Sequence, residues 1–376
     1  MGEVFGRCEE GFSEVRDTFE KNLDAGADLG ASVAVFRDGE PVVDLWGGYL
    51  DAERTVPWAE DTIINVWSTT KTMTALCALM LADRKELDFH APVARYWPEF
   101  ASAGKSQVEV RHLMSHTAGL SGWTQPIAVE DLYDWEKVTS LLASQEPWWE
   151  PGSASGYHAV TQGFLVGEVV RRITGRTLGS FFSDEVAGPL GADFHIGTPP
   201  EADERVAQVI PPEELPPLGD RSPDDVALRT LLNPLLDAAV SGTEAWRRAE
   251  IPAANGHGNA RSVAAVQSVL SCGGEARGVR LLSPGGCEAI FEKQSEGMDL
   301  VLGVPITFGM GYGLSSDLMP VGPRTCYWGG WGGSVIVIDL ETRLTVAYVM
   351  NRMESGLVGD LRGISLVLAA AACVSR

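Results

Sequence analysis

A serine and a lysine stand three residues apart in Ser68-Thr69-Thr70-Lys71, at the point where an apolar stretch ending in Trp67 meets a second one. On a helix that spacing puts both side chains on one face. A serine hydroxyl is a poor nucleophile until a base takes its proton. A lysine kept neutral by burial or by cationic neighbours can be that base. A helix N-terminus also points free N–H groups and partial positive charge at anything beside Ser68. The same residues have a plainer reading, in which Ser68 caps a helix and Lys71 is solvated or ion-paired. Met73, Ala75, Leu76 and Leu79 around Lys71, on an otherwise uncharged helix, weigh against solvation. From this stretch alone the two readings balance. The other Ser-x-x-Lys, Ser102 to Lys105, lies in a glycine-containing loop with no apolar run behind it and is set aside.

Two later segments supply groups that a nucleophilic Ser68 would need and a capping one would not. The first is Tyr157-His158-Ala159, following Glu150-Pro151-Gly152. A phenol beside the nucleophile can take its proton as phenolate or pass one to the leaving group. The second is Trp328-Gly329-Gly330, just before a β-rich run. Its glycines let a ligand approach the strand closely. The next backbone N–H, of Trp331, can pair with that of Ser68 as an oxyanion hole.

These three elements, in this order, resemble those of serine β-lactamase-fold hydrolases of the class C type, and within them most of all the family VIII carboxylesterases. "LMSHTAGL", "ITGRTLGSFFSDEVAGPLGA", "NGHGNARS" and "FGMGYGL" extend the resemblance over nearly the whole chain. It implies an α+β, β-lactamase/DD-peptidase-like fold, an antiparallel sheet flanked by helices plus an all-helical domain. It implies Ser68 as nucleophile and Lys71 with Tyr157 as the proton-handling pair, leaving open which is the general base. It also implies a cofactor-free carboxylesterase acting on small, short-acyl-chain esters. The alternatives on this scaffold are a β-lactamase, a D-amino-acid peptidase and a non-catalytic penicillin-binding-like protein. Class C β-lactamases carry Asn at the position of Ala159 and Lys at that of Trp328. Without them a carboxylate-bearing lactam loses an electrostatic handle. Trp328, Gly329, Gly330, Trp123 and His158 are the expected substrate-binding residues, Trp123 as a pocket wall.

No other chemistry competes. The chain has no Gly-x-Ser-x-Gly. His112 and His116 have the spacing of a zinc helix but lack the glutamate of His-Glu-x-x-His, so a loop-packing role is expected and no metal. His257 reads as a turn residue. The run Gly329 to Gly333 leads into a strand, unlike a phosphate loop.

The elements that must position these residues come from both ends of the chain. A helix is expected over 9–24 and a hairpin around Asp38-Gly39. A second hairpin is expected at 335–350, and a helix from about Val358. Between them lie helices at 68–83, at "RHLMSHTAGL", at "AVTQGFLVGEVVRRITG" and at "GNARSVAAVQSVLS". Residues 196 to 225, rich in proline and acid, read as a long surface excursion. An α/β domain built from 1–67 and 255–376, a mainly helical domain over 68–254 and an active site in the cleft between them follow.

With 376 residues, 45% hydrophobic and 21% charged, the chain has the make-up of a globular protein with a large core. Its formal net charge of -22 argues against nucleic acid or an anionic membrane as partner. No run reaches the roughly 20 apolar residues of a membrane span. The first residues, "MGEVFGRCEEGFSEV", show no secretory signal, and six scattered cysteines form no CxxC pair. A cytoplasmic protein with reduced thiols is expected. The oligomeric state is left open.

Overall fold

The computed structural model describes residues 3–214, 222, 224–316, 319 and 321–374. Its centre is a nine-stranded sheet, paired antiparallel throughout. In chain order the strands are β1 (Val4–Cys8), β2 (Gly30–Arg37), β3 (Glu40–Gly48), β4 (Ser295–Met298), β5 (Pro305–Phe308), β6 (Gly313–Leu314), β7 (Thr325–Gly329), β8 (Val335–Asp339) and β9 (Leu344–Met350). Across the sheet they run β1-β3-β2-β9-β8-β7-β6-β5-β4. The seam is β2 against β9, from Ala31 beside Met350 to Arg37 beside Leu344. It joins the two ends of the chain, as the paired hairpin signals predict.

Asp38 and Gly39 form the two-residue turn between β2 and β3, both with positive φ, 54° and 82°. That is the geometry an Asp-Gly pair favours. β1 was not expected: it is short, exposed and interrupted by Gly6, and it lies on the sheet's edge.

The principal helices are α1 (Ser13–Asp24), α2 (Thr70–Asp83), α3 (Trp135–Ser144), α4 (Thr161–Thr174), α5 (Ala260–Ser271) and α6 (Leu361–Val374). Side chains alternate faces along a strand, and β9 shows which helices cover which face. Thr345 bonds Ser271 of α5, whereas a Cβ on Gly363 of α6 would lie 3.1 Å from the Tyr348 ring. The two residues are an odd number apart, so α5 covers one face and α6, packed with α1, the other. All of β9 is therefore buried.

α2 is buried all round from Thr70 to Leu81, with the polar groups of its first turns hydrogen-bonded inside. A helix buried on every side belongs at the centre of a protein, and α2 lies between α4, the short helix Leu178–Phe182 and the elements following α5. The 196–225 segment differs from expectation. Val206 bridges Ile63, Ile210 bridges Arg352, and Ala207 and Val209 are buried, so its first half is packed chain. Residues 215–221 and 223 of that segment lie outside the described residues.

Candidate active site

The chain enters the site through a tight turn. Val66 donates its N–H to Gly256 O, and Trp67 then takes φ +48°. A bulky residue in the left-handed region is strained and persists only where its surroundings fix it. Here Thr70 Oγ1 bonds Trp67 O at 2.5 Å and accepts the Gly256 amide at 2.9 Å. A single turn of 3-10 helix, Trp67–Thr69, follows and runs into α2. Ser68 caps nothing: neither helix has a side-chain cap at its N-terminus. Its hydroxyl meets Lys71 Nζ at 3.0 Å and Tyr157 OH at 2.5 Å. The structure thus places Ser68, Lys71 and Tyr157 together.

Lys71 Nζ also donates to the carbonyls of Ala159, at 2.7 Å, and Ala253, at 3.0 Å. No carboxylate pairs with it among the described residues, and burial pushes its pKa well below the ordinary value. A neutral amine has two N–H donors and one lone pair. In the neutral form, with two carbonyls taking the donors, the lone pair would face the Ser68 hydroxyl. Burial acts on Tyr157 in the same direction, towards the neutral form, and so pushes the phenol pKa up.

Tyr157 is held from behind. Its N–H donates to Asp299 Oδ1 at 3.0 Å, and that oxygen also accepts from Val301 and Leu302. Its ring packs against Trp328, with centroids 5.4 Å apart, and His116, at 5.0 Å. Nothing in the sequence marked Asp299 or the two carbonyls. A carbonyl leaves no compositional trace, and an acid in "GMDLV" is unremarkable.

Of the expected substrate-binding residues, several lie elsewhere. Trp123 is packed in the helical region, its indole N–H on Val138 O and its ring against Phe164, away from the cavity. His158 points opposite to Tyr157: Nε2 accepts from the Leu120 amide and Nδ1 meets Gly156 O. Successive side chains in extended backbone face opposite ways, which explains the reversal. Trp328 stands behind Tyr157 rather than in the cavity. Gly330 is pressed on the backbone around Ser68. A Cβ there would lie 2.4 Å from Val66 O and 3.2 Å from Ser68 N. Gly329 faces Gly359 in the same way, so both glycines admit backbone. The amides of Ser68 and Trp331 have no hydrogen-bond acceptor among the described residues.

The other singled-out groups have structural partners. Lys105 Nζ bonds the Ser102 and Gln145 carbonyls, not the Ser102 hydroxyl. His112 Nδ1 accepts from Glu109 N and His116 Nδ1 from His158 N. His257 lies in a short strand between 64–65 and 194–195 instead of a turn.

Above the Ser68 hydroxyl opens a cavity of about 120 Å3, continuous with solvent. Trp67, Val160, Leu231, Leu232, Leu235 and Trp331 form much of its wall, and no charged side chain lines it among the described residues. The leucine segment 231–236 carried no signal in the sequence, because a leucine cluster reads equally as core.

A serine at the entrance to a buried helix beside an antiparallel sheet, with lysine and tyrosine converging on it, is the arrangement of a class of serine hydrolase. The chain belongs to the beta-lactamase family, whose model matches residues 15–371. It is 37% identical to the esterase/beta-lactamase LipL of Mycobacterium tuberculosis, over 94% of this chain and 84% of the relative. A crystal structure of a family VIII carboxylesterase superposes with a TM-score of 0.94 at 42% identity, covering 99% of this chain and 100% of the other. A penicillin-binding protein homologue from Caulobacter crescentus superposes at 0.93 with 38% identity, over 99% and 100%. The resemblance and fold read from the motifs agree with these comparisons.

Proposed function

We propose that the protein is a serine carboxylesterase for small, uncharged esters. The observation that supports it most is the convergence of Lys71 Nζ and Tyr157 OH on Ser68 Oγ beneath an apolar cavity. Lys71 accepts the hydroxyl proton as Oγ attacks the ester carbonyl. The oxyanion lies between the amides of Ser68 and Trp331. Tyr157 gives its proton to the departing alcohol, leaving an ammonium and a phenolate beside the acyl-enzyme. Water then attacks and returns a proton to Tyr157. Ser68 Oγ recovers its own from Lys71 as the acid leaves.

The uncharged lining favours esters without a carboxylate, and Trp328 supplies no cation where a lactamase has lysine. Short p-nitrophenyl esters are the first substrates to try. Six cysteines with no disulfide among the described residues support a reducing, cytoplasmic setting. No described helix is long and apolar enough to cross a membrane.

The test is labelling with a serine-reactive p-nitrophenyl phosphonate, followed by mass spectrometry. An adduct on Ser68 is expected, and Ser68→Ala loses about a thousandfold or more in kcat/KM. Full hydrolysis by Ser68→Ala defeats the assignment. The lactamase reading is separated by kcat/KM on a short p-nitrophenyl ester against a cephalosporin. The ester is expected to be the better substrate.

A further inference from the structure

We propose that Arg362 is a positioning residue for this hydrolysis, holding the turn that presents the Trp331 amide to the oxyanion. The inference rests on the reading of Ser68 as nucleophile.

The turn 330–334 is tied on its inner side to the nucleophile. Ser334 Oγ donates to Val66 O at 2.8 Å and lies 2.9 Å from Thr69 Oγ1. Its outer side meets Arg362. One terminal nitrogen of the guanidinium donates to Gly332 O at 2.7 Å, one residue beyond Trp331, and also to Asp360 Oδ2. The other donates to Asp28 Oδ1 at 3.0 Å and to the carbonyls of Ala27 and Arg352. Asp28 Oδ1 takes the Tyr348 hydroxyl as well, at 2.5 Å. Arg362 is only 7% exposed and Asp28 2%. The contact with the turn is close: a Cβ on Gly333 would lie 2.3 Å from Asp360 Oδ2 and 2.6 Å from the guanidinium.

The location of Arg362 is electrostatically poor for a residue of purely structural use. It sits in the first turn of α6, where a cation opposes the helix dipole. It is also buried, so its charge is tolerated only because two carboxylates share it. Its planar fork reaches the turn and both acids at once. A lysine ammonium, with three donors at one point, cannot span them. A displaced donor affects the tetrahedral oxyanion more than the bound ester, so the loss belongs in kcat.

Arg362→Lys is therefore compared with Leu366→Ala, a cavity variant one turn along the same helix. Arg362→Lys is expected to lower kcat about tenfold to a hundredfold with KM within about twofold. The rate of phosphonate labelling at Ser68 should fall in proportion. Leu366→Ala is expected to lower Tm while keeping kcat. Should Arg362→Lys fail to fold, Asp360→Asn keeps the Oδ1 cap on α6, weakens the hold on Arg362, and should give the same split with a smaller drop. The brace is overturned if the folded variant keeps kcat within about twofold, if only KM rises, or if Leu366→Ala loses as much kcat. Phosphonate attached elsewhere than Ser68 in the parent protein overturns the hydrolase reading and the brace together. Normal Ser68 labelling at an unchanged rate in Arg362→Lys overturns the brace alone.

Discussion

Burial favours the neutral form of both Lys71 and Tyr157 beside Ser68, and that gives opposite consequences for pH. The pKa of Lys71 is lowered, so the free base forms well below the ordinary lysine range. That of Tyr157 is raised above 10, so the phenol stays protonated through alkaline pH. If Lys71 is the base and Tyr157 the acid, kcat/KM rises with pH as Lys71 loses its proton and then stays level to about pH 10. A fall between about pH 8 and 9.5 in enzyme still folded by circular dichroism would show that Tyr157 is not held protonated there. Tyr157→Phe separates the two roles further. A poor leaving group needs a proton and p-nitrophenolate does not, so this variant should lose about 10²- to 10⁴-fold on an ethyl ester and much less on a p-nitrophenyl ester. Steady-state rates on the matched pair check it. Ser68, Lys71 and Tyr157 were legible in the sequence because their chemistry needs particular side chains. The carbonyls of Ala159 and Ala253 were not, since any residue supplies them.

At the scale of elements, the site depends on a strand, a turn and a helix meeting without room to spare. Gly330 is the narrowest point. In Gly330→Ala the new methyl strikes Val66 O and Ser334 Oγ, both 2.4 Å away, and the backbone has to move. A stability loss of about 1–3 kcal/mol is expected. A larger fractional loss of kcat should accompany it, because Ser68 N is 3.2 Å from the same position. Urea unfolding with parallel kinetics measures both, and unchanged kcat would show that the contact does not set the site. The two hairpins and the helices of the middle were legible from turn residues and apolar period. α2 announced itself by its apolar run but not by its neighbours. β1 was missed because an exposed edge strand has no buried face to impose alternation. Trp123 was misplaced for a related reason: a tryptophan after a helix end looks the same whether its ring packs on Phe164 or lines a cavity.

At the scale of the molecule, the last helix belongs to the core of the fold. A chain ending at Asp360 loses Arg362 and uncovers one face of β8 and β9. It also leaves the Asp28 carboxylate buried without its cation, a deletion that costs about 3–5 kcal/mol by itself. Such a chain is expected to be largely unfolded at 37 °C, which far-UV circular dichroism or proteolysis would show. That the sheet is made from both ends was legible from the two hairpins. Which strands meet was not, because pairing of β2 with β9 is decided by packing across more than three hundred residues.

That seam also sets an order of events in synthesis. When β2 and β3 leave the ribosome, β2 has an open edge along Ala31 to Arg37, and its partner has not yet been translated. At about 5–20 residues per second the wait lasts on the order of half a minute. For that time the hairpin shows unpaired N–H and C=O groups flanked by valine and phenylalanine, a template for pairing with another nascent chain. The β2 edge can be paired natively only after β9 emerges. The connectivity that brings Trp331 to Ser68 thus also raises the contact order of the fold, which slows folding.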